Sequence, residues 1–434
     1  MNTSQGAAEE TKILIEERVK KTNERLVSDF CKNGTKIHRF PQNLRRIGKE
    51  GYYIAPTVAA FGPYHHGSAH LREMEEVKHA AAHYFCVKSG HSVRDVYGKV
   101  LSIADEARCC YSEDAVAGFS ADEFATMMFL DGCFLLHYMT LDDESGVLVN
   151  RSTLSTGPSM LRDMFLLENQ LPWLVLETLM SFTNIFPVFM FIAGTASNTL
   201  NSSSISDKRL PEDEFQKHRP PHLLGLLRHY LIGSMPPADA RYSKIKVHYA
   251  LASSAIELAE MGVRLTASNE RWFADMSIQK GLLAGELSLT SLFLNDYTAC
   301  WLVNMAAFEA CTSAGFVQYD GLTINSYISL LAMLVDKEED VHVLRAKHLV
   351  HSNSFSNQEI LVFFKGLARH LKLGYRYLVV VEKIEEYKRE RPARIVVHRF
   401  FYNNFRAIAA LLSIAGVLVG IFRALLSLKE HPRY

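Results

Sequence analysis

Three carboxylate residues lie on the apolar faces of predicted helices. Carboxylates in such positions are candidates for acid–base catalysis. Asp131, Glu168 and Glu309 each stand where helical spacing would place an apolar side chain. Two inward carboxylates with separated pKa values can act as general acid and base, so one hypothesis is a hydrolase or transferase that uses Asp131 and Glu168. Buried carboxylates more often pair with Arg or His or accept backbone amides, so the sequence favours a structural role for all three.

Residues 161–179, LRDMFLLENQLPWLVLETL, must position Glu168. Their apolar spacing predicts a helix, and Pro172 within it predicts a kink that frees the carbonyl of Glu168. Polar Asn169 and Gln170 lie between the two residues. The pattern predicts a buried polar hub in which Asp131 or a basic side chain lies near Glu168.

Histidines and a cysteine form a second group of candidates. Because His65 and His66 are adjacent, their side chains diverge, and the sequence supplies no further ligands at metal-binding spacing. Tyr64, His65 and His66 are therefore expected to cap a helix or fill a turn. Cys133, within an apolar helix, is expected to be inert. With no Walker, GxGxxG, GxSxG or kinase motif present, the sequence predicts no metal site, no cofactor and no enzyme.

Composition restricts the classes of partner. The chain has 434 residues, and 47 basic residues balance 47 acidic ones, which disfavours nucleic-acid binding. Seven cysteines without a CxxC pair or disulfide spacing indicate reduced thiols. The N-terminus lacks the basic start and apolar run of a secretory signal, and sequons stand at Asn33, Asn150 and Asn201.

The pattern of periodicity predicts a mainly α fold. Residues 1–36 read as an amphipathic N-terminal arm, and residues 37–400 as a large helical body. Ser120 and Glu123 form a capping box that starts the helix carrying Asp131. Alternation over residues 276–295 predicts one small β-hairpin, and the polar composition near residues 195–221 predicts an exposed insertion or a boundary between lobes.

The C-terminus carries the strongest membrane signal. Residues 407–422 contain no charge over roughly 24 Å of helix, which predicts a single transmembrane anchor over residues 401–428 with a tail at 429–434. Gly416 and Gly420 form a GxxxG motif through which two copies can pair as a homodimer. Six basic residues precede the span and three follow it, which places the body in the cytosol. An outward-facing orientation stays open.

Several ordered motifs resemble a plant family, the domain of unknown function 247 family. They are Gly62-Pro63-Tyr64-His65-His66, Asp131-Gly132-Cys133, Glu168-Asn169-Gln170 followed by Pro172, and the NMAAFEAC segment that contains Glu309. The similarity covers roughly residues 37 to 428. It departs from the family pattern at residues 285–288, where a proline is usual, and at Ala310, where a glutamine is usual.

The resemblance implies a mostly helical protein with a C-terminal membrane anchor and no established catalytic activity. Some grass members of the family are implicated in pollen self-incompatibility. The leading hypothesis is therefore a plant membrane-anchored recognition or signalling protein with an unknown protein partner. The competing hypothesis is the enzyme that uses Asp131 and Glu168.

Overall fold

A computed structural model describes most of the chain. It covers residues 37–47, 51–140, 153–200, 218–233, 253–268, 272–281, 284–313 and 321–430, with residues 18, 19 and 22. Most of the predicted N-terminal arm, the three sequons and Cys31 lie outside the described residues. So do residues 201–217, the larger part of the predicted insertion.

The first half of the chain is helical. After irregular segments at residues 37–47 and 51–68 come α1 (Arg72–Ser89), α2 (Val93–Ser102), α3 (Ala104–Arg108), α4 (Glu113–Val116), α5 (Ala121–Thr140), α6 (Thr153–Asp163), α7 (Trp173–Met180), α8 (Phe186–Thr199) and α9 (Leu223–Ile232). The predicted capping box at the start of α5 is confirmed. The backbone amide of Ser120 donates to Glu123 at 2.8 Å, and the amide of Glu123 donates to the Ser120 hydroxyl at 3.2 Å.

The second half adds short strands to further helices. In order these are α10 (Ala255–Glu260), β1 (Val263–Ala267), β2 (Met276–Lys280), β3 (Gly285–Leu289), β4 (Leu292–Phe293), α11 (Asp296–Thr312), α12 (Thr323–Leu334), α13 (Glu338–Ala346), β5 (Val350–His351), α14 (Asn357–Ala368), α15 (Tyr375–Glu390) and α16 (Pro392–Glu430). The prediction of a mainly α fold with a small hairpin is confirmed.

The hairpin belongs to a three-stranded sheet. Strands β2 and β3 pair antiparallel, as predicted, with Ile278 opposite Leu287. Strand β1 adds to the other edge of β3 in parallel, with Val263 opposite Gly285. Strands β4 and β5 make a second, two-stranded parallel pair. The parallel pairings join segments far apart in sequence, which periodicity cannot predict.

The chain divides into two compact units. Unit 1 comprises residues 1–197, 204–230 and 297–311. In its core, α5 packs against α1, α2 and α7. The approach of α5 to α7 is close at Gly132, where an added Cβ would lie 2.4 Å from Cδ1 of Leu179. A glycine at this position therefore sets the distance between the two helices.

Unit 2 comprises residues 198–203, 231–296 and 312–434. Its core centres on α12, all of whose residues are buried and which packs on α14 and α15. Helix α15 also covers strand β2. The hydroxyl of buried Tyr327 on α12 donates to the carbonyl of Thr290 at 2.7 Å, which joins the helix to the end of the hairpin.

Two predicted elements differ from the structure. Residues 161–179 do not form one kinked helix, because α6 ends at Asp163 and Pro172 is the N-cap residue of α7. A proline fits there, since a residue before the first helical turn needs no amide donor to the helix. Residues 195–199 belong to helix α8, with Thr195 and Thr199 buried, so the predicted exposed insertion cannot begin at residue 195.

Helix α16 is 39 residues long and begins before the predicted span. By length and composition it could cross a membrane, and its most apolar window is fully exposed. Exposed apolar side chains run from Val396 to Leu426, including Phe400, Phe401 and Phe405. The apolar surface thus extends a little over one turn N-terminal of residue 401.

Candidate functional site

The loop at residues 164–172, between α6 and α7, carries the polar centre of unit 1. Glu168, Asn169 and Gln170 are all buried here, although none lies in a helix. A buried loop must satisfy its own backbone groups and those of its neighbours. The three side chains do this by bonding to the irregular segment formed by residues 37–47 and 51–62 and to the loop itself.

Glu168 holds the start of the irregular segment. One carboxylate oxygen, Oε1, accepts the backbone amide of Phe40 at 2.7 Å and the guanidinium of Arg45 at 2.6 Å. The other oxygen lies 3.9 Å from Nε2 of His65. Burial, with the positive charges of Arg39 and Arg45 nearby, lowers the pKa of His65 to about 4. His65 is therefore neutral at pH 7, and Arg45 supplies the charge that compensates Glu168.

The side chains of Asn169 and Gln170 each donate and accept hydrogen bonds. Asn169 accepts the amide of Phe61 at 2.7 Å and donates to the carbonyl of Ala59 at 2.9 Å. Gln170 donates to carbonyls of its own loop, at 2.7 Å for Met164, and accepts the amide of Leu224 at 2.9 Å. An amide side chain suits this task because it carries both donors and an acceptor.

Asp163 and Arg162, which the sequence analysis did not identify, bind the middle of the same segment. Oδ2 of Asp163 accepts the backbone amides of Thr57 at 2.8 Å, Val58 at 2.6 Å and Ala59 at 3.3 Å. Burial raises the pKa of Asp163, and these amides together with Arg162 oppose the rise. Arg162 also donates to the carbonyls of Tyr52 and Ala55.

Asp131 on α5 binds the end of the segment with Lys78 of α1. Its carboxylate accepts the amide of Gly62 at 2.8 Å and lies 2.6 Å from the ammonium of Lys78. Lys78, fully buried, also binds Glu75 at 2.6 Å and the carbonyl of Ala60 at 2.7 Å. Burial acts to lower the pKa of Lys78, but Asp131 and Glu75 raise it overall. Burial raises the pKa of Asp131, against the effect of Lys78.

Gly62 makes this arrangement possible. Its φ is +75°, and an added Cβ would lie 2.7 Å from the Tyr111 hydroxyl and 2.9 Å from the carbonyl of Gln170. That hydroxyl donates to the same carbonyl at 2.9 Å. Only a residue without a side chain fits where the segment, the loop and α5 meet.

Glu309 and Asn304 on α11 make two further anchors in unit 1. Glu309, fully buried, lies 2.7 Å from the guanidinium of Arg228 on α9. Asn304 accepts the amide of Leu167 at 2.8 Å and donates to the carbonyl of Tyr53 at 3.0 Å. Helix α11 therefore bonds to both the buried loop and the irregular segment.

Comparison with known proteins identifies the family. The sequence model of DUF247, described as a plant protein of unknown function, matches residues 37–419. The chain belongs to the DUF247 family. It is 26% identical to the UPF0481 protein At3g47200 of Arabidopsis thaliana over 380 residues, which are 79% of this chain and 74% of that protein.

A second relative matches over a shorter stretch. The chain is 28% identical to the putative UPF0481 protein At3g02645 of Arabidopsis thaliana over 150 residues, 34% of this chain and 27% of that protein. No solved structure matches the chain significantly. The membership in DUF247 confirms the resemblance drawn from the motifs.

The DUF247 motifs meet in one network rather than one catalytic pair. The GPYHH motif touches both carboxylates, since Gly62 binds Asp131 and His65 faces Glu168. The expected divergence of the two histidines is observed, because His66 turns to Phe119 with ring centroids 5.5 Å apart. Tyr64 donates to the carbonyl of Ile37 at 3.0 Å. Pro63 is buried beside them.

Other motif residues take separate positions. Burial raises the pKa of the Cys133 thiol well above its usual value, so it has the character of an inert core residue. Glu309 on α11 pairs with Arg228 on α9. Of the two partners expected near Glu168, Asp131 or a basic side chain, the structure has the basic one, since Arg45 lies 2.6 Å from Glu168. Asp131 pairs with Lys78.

The arrangement is suited to holding the fold. Each carboxylate of the DUF247 network is already bound by a cation, a backbone amide or both, so its lone pairs are used within the protein. The described residues contain no group of three His, Cys, Asp or Glu side chains placed to hold a metal ion. What the network can do chemically is fix residues 37–62 on α5, α11 and the buried loop.

Proposed function

We propose that this DUF247 chain is a membrane-anchored recognition or signalling protein, held at the membrane by α16 and acting through protein contacts of its helical body. The observation that carries the proposal is the exposure of an apolar helix. Exposed apolar side chains on soluble proteins are usually scattered, whereas here they cover a whole helix over some thirty residues.

Helix α16 is longer than a membrane span needs, so the anchor would be only the C-terminal part of this helix. Its 39 residues correspond to about 58 Å, about twice the thickness of a bilayer hydrocarbon core. The uncharged residues 407–422 fit the core, and the preceding turns would stand at the interface. Phe400, Phe401 and Tyr402 lie in those turns, where aromatic side chains are enriched in membrane proteins.

The same helix connects the anchor to unit 2 without a flexible linker. Nδ1 of His398 lies 3.1 Å from the carbonyl of Glu260 at the end of α10, and Arg399 lies 3.5 Å from the Glu260 carboxylate. The ring of His398 also covers Gly262. Unit 2 would therefore be held at a fixed distance from the membrane surface.

The basic residues around α16 favour a cytosolic body, by the bias of six before the span against three after it. Gly416 and Gly420 support pairing of two anchors. Neither has another atom within 4 Å of where a Cβ would stand, so the helix surface there is open to a close neighbour. We infer a homodimer through this face.

The contacts of Asp131 and Glu168 favour a recognition function over catalysis. A general acid or base must reach a substrate, and both carboxylates are buried and occupied by Lys78 and Arg45. The enzyme hypothesis consequently has no observation in its favour among the described residues. A pollen self-incompatibility role is likewise left as an implication of the family, since nothing in the described surface favours that partner.

Affinity capture tests the recognition half of the proposal. The full chain and a reporter fused to residues 392–430 alone would be purified in detergent from plant membranes. We expect the full chain to capture proteins that the anchor fusion does not capture. Identical sets of captured proteins would mean that the body recognises nothing, and would refute this half.

A further inference from the structure

A cavity in unit 1 lies apart from the polar network. It has a volume of about 360 Å³ and is lined by residues at the C-terminal ends of α1 and α5 and at the start of α8. The rings of Tyr84, Phe85 and Pro187 and the side chain of Leu136 form apolar parts of its wall. Its volume falls in the range of sites that hold small organic molecules.

His137 supplies the buried polar group of this wall, with an exposed fraction of 6%. Its ring meets the ring of Tyr84 edge to face, with centroids 5.0 Å apart. The ring nitrogens make no hydrogen bond to a described residue, and they are not among the polar atoms that the fold seals off completely. Because buried imidazoles ordinarily find a partner, the ring offers its polar atoms to a molecule in the cavity.

The protonation state of His137 decides which group suits it. Burial lowers the pKa of His137, and the positive charge of Lys88 lowers it further, so the ring is neutral at pH 7. A neutral imidazole has one N–H donor and one bare nitrogen that accepts. A hydroxyl group can donate to the bare nitrogen or accept from the N–H, so it fits either tautomer, whereas a carbonyl group can only accept.

The other described residues of the wall offer a ligand no uncommitted charge. No carboxylate is among them. Lys88 is exposed and already interacts with another group of the protein. Ser89 and Thr140 donate their hydroxyl protons to carbonyls of their own helices, at 3.0 Å and 2.9 Å. A charged ligand would lose its hydration here without gaining an uncommitted counter-ion, which favours a neutral ligand.

We propose that this cavity binds a small neutral alcohol with an apolar body. The hydroxyl group hydrogen-bonds to a ring nitrogen of His137, and the body lies against Tyr84, Phe85, Leu136 and Pro187. Ligand sites are typically built in this way, with mostly apolar walls and a few polar groups that fix the orientation. The site goes beyond the proposed recognition function and does not depend on membrane anchoring.

Calorimetric titration of the full chain in detergent micelles tests the site, and titration of empty micelles corrects for partition of each probe into detergent. One set of probes has an aromatic body, 2-phenylethanol with ethylbenzene and phenylacetate. The other has an aliphatic body, cyclohexylmethanol with methylcyclohexane and cyclohexanecarboxylate. At least one alcohol is expected to bind, and its matched acid to bind about tenfold more weakly or less. Absence of binding by both alcohols at millimolar concentration, or an acid that binds as tightly as its alcohol, would overturn the proposal.

His137→Leu tests the contact with the hydroxyl group. The variant is expected to weaken binding of the alcohol, relative to its matched hydrocarbon, by about threefold or more, because only the alcohol loses a hydrogen bond. His83→Leu is the matched control, since His83 is an exposed histidine of α1 outside the cavity, and it should leave this ratio unchanged. An unchanged ratio in His137→Leu would contradict the assignment of the hydroxyl group to His137.

Folding of each variant is checked by its thermal unfolding midpoint before titration. If His137→Leu fails to fold, Thr183→Phe decides the result, because Thr183 lines the cavity and is half-buried. A phenylalanine there fills part of the cavity and should weaken binding of the alcohol about tenfold, whereas Ser102→Phe at an exposed position of α2 should not. Equal affinity of wild type, Thr183→Phe and Ser102→Phe would place the alcohol outside this cavity and overturn the proposal.

Discussion

Oε1 of Glu168 accepts a hydrogen bond from the backbone amide of Phe40, 128 residues earlier in the chain, at 2.7 Å. The same relationship recurs along the segment, where Asp163 binds the amide of Val58 and Asp131 binds that of Gly62. Three acidic side chains therefore perform the role that a neighbouring strand would perform in a sheet. They satisfy the amides of an irregular, partly buried segment.

Glu168→Gln tests the first of these anchors. The amide oxygen of glutamine can still accept from Phe40, but the charge opposite Arg45 is lost. Because Arg45 is 33% exposed at its side chain, water compensates part of that loss, and we expect a destabilisation of about 2 kcal/mol. Urea unfolding followed by tryptophan fluorescence measures it.

Glu177→Gln is the matched control for that variant. Glu177 pairs with Arg219 at 3.2 Å, but both side chains are well exposed, so we expect a change of about 0.5 kcal/mol or less. Equal effects of the two substitutions would show that Glu168 is not an anchor of the fold.

Lys78→Met tests the second anchor. The substitution leaves Asp131 buried without its cation, and we expect a loss of about 3–5 kcal/mol in the free energy of unfolding. Combining it with Asp131→Asn removes the stranded charge and keeps an acceptor for Gly62. A double-mutant cycle should therefore show that the double variant is more stable than Lys78→Met alone. A single variant as stable as wild type would contradict this account.

Gly132→Ala tests the close approach of α5 and α7. Alanine in a helix is usually favourable by up to about 1 kcal/mol over glycine, but here its Cβ would stand 2.4 Å from buried Leu179. We expect a net destabilisation of about 1–3 kcal/mol from overpacking. Gly98→Ala on α2, where no atom lies within 4 Å, should instead stabilise the protein. Thermal unfolding midpoints distinguish the two, and a stabilised Gly132→Ala would refute the close approach.

The pKa of His65 predicts how stability changes with pH. Its folded pKa of about 4 lies below the ordinary value of 6.5, so its contribution is complete above pH 6.5 and is lost as the pH falls toward 4. Between pH 7 and pH 5, this difference in pKa lowers the free energy of unfolding by about 2 kcal/mol. Burial lowers the pKa of His229 to about 4 as well, which adds a loss of the same sign.

Comparison with His65→Gln isolates the contribution of His65. Burial raises the pKa values of Asp131 and Asp163, so those groups favour the folded state as the pH falls and partly offset the histidines. The difference between wild type and His65→Gln, measured by urea unfolding at pH 7 and pH 5, should shrink at the lower pH. A difference independent of pH would contradict the assigned pKa.

Helical spacing was enough to predict that Asp131, Glu168 and Glu309 point inward, and all three are buried. Spacing reports which face of an element is covered, so it also predicted the mainly α fold, the hairpin and the apolar C-terminal helix. It could not identify Lys78 or Arg45 as partners, because those contacts join residues 53 and 123 positions apart along the chain.

Residues 161–179 show where periodicity fails. The apolar side chains of residues 164–171 face inward because the loop itself is buried, and this imitates the pattern of a helix. Arg162 and Asp163 were missed for a related reason, since an adjacent ion pair at the end of a helix is usually exposed. The polar residues Glu168, Asn169 and Gln170 within an apolar stretch were the available signal for a buried loop. Pro172 stands at the start of α7 and not, as predicted, at a kink within one helix.

Alkaline carbonate extraction of membranes carrying a full-chain reporter fusion tests whether α16 anchors the chain in a membrane. Wild type and Val93→Arg, a substitution at an exposed apolar position on α2, are expected to stay with the membranes. Ile414→Arg combined with Leu418→Arg should release the chain, since each arginine at mid-span costs about 2.5–3.5 kcal/mol. Release of the wild-type chain into the supernatant would show that α16 is not a membrane anchor.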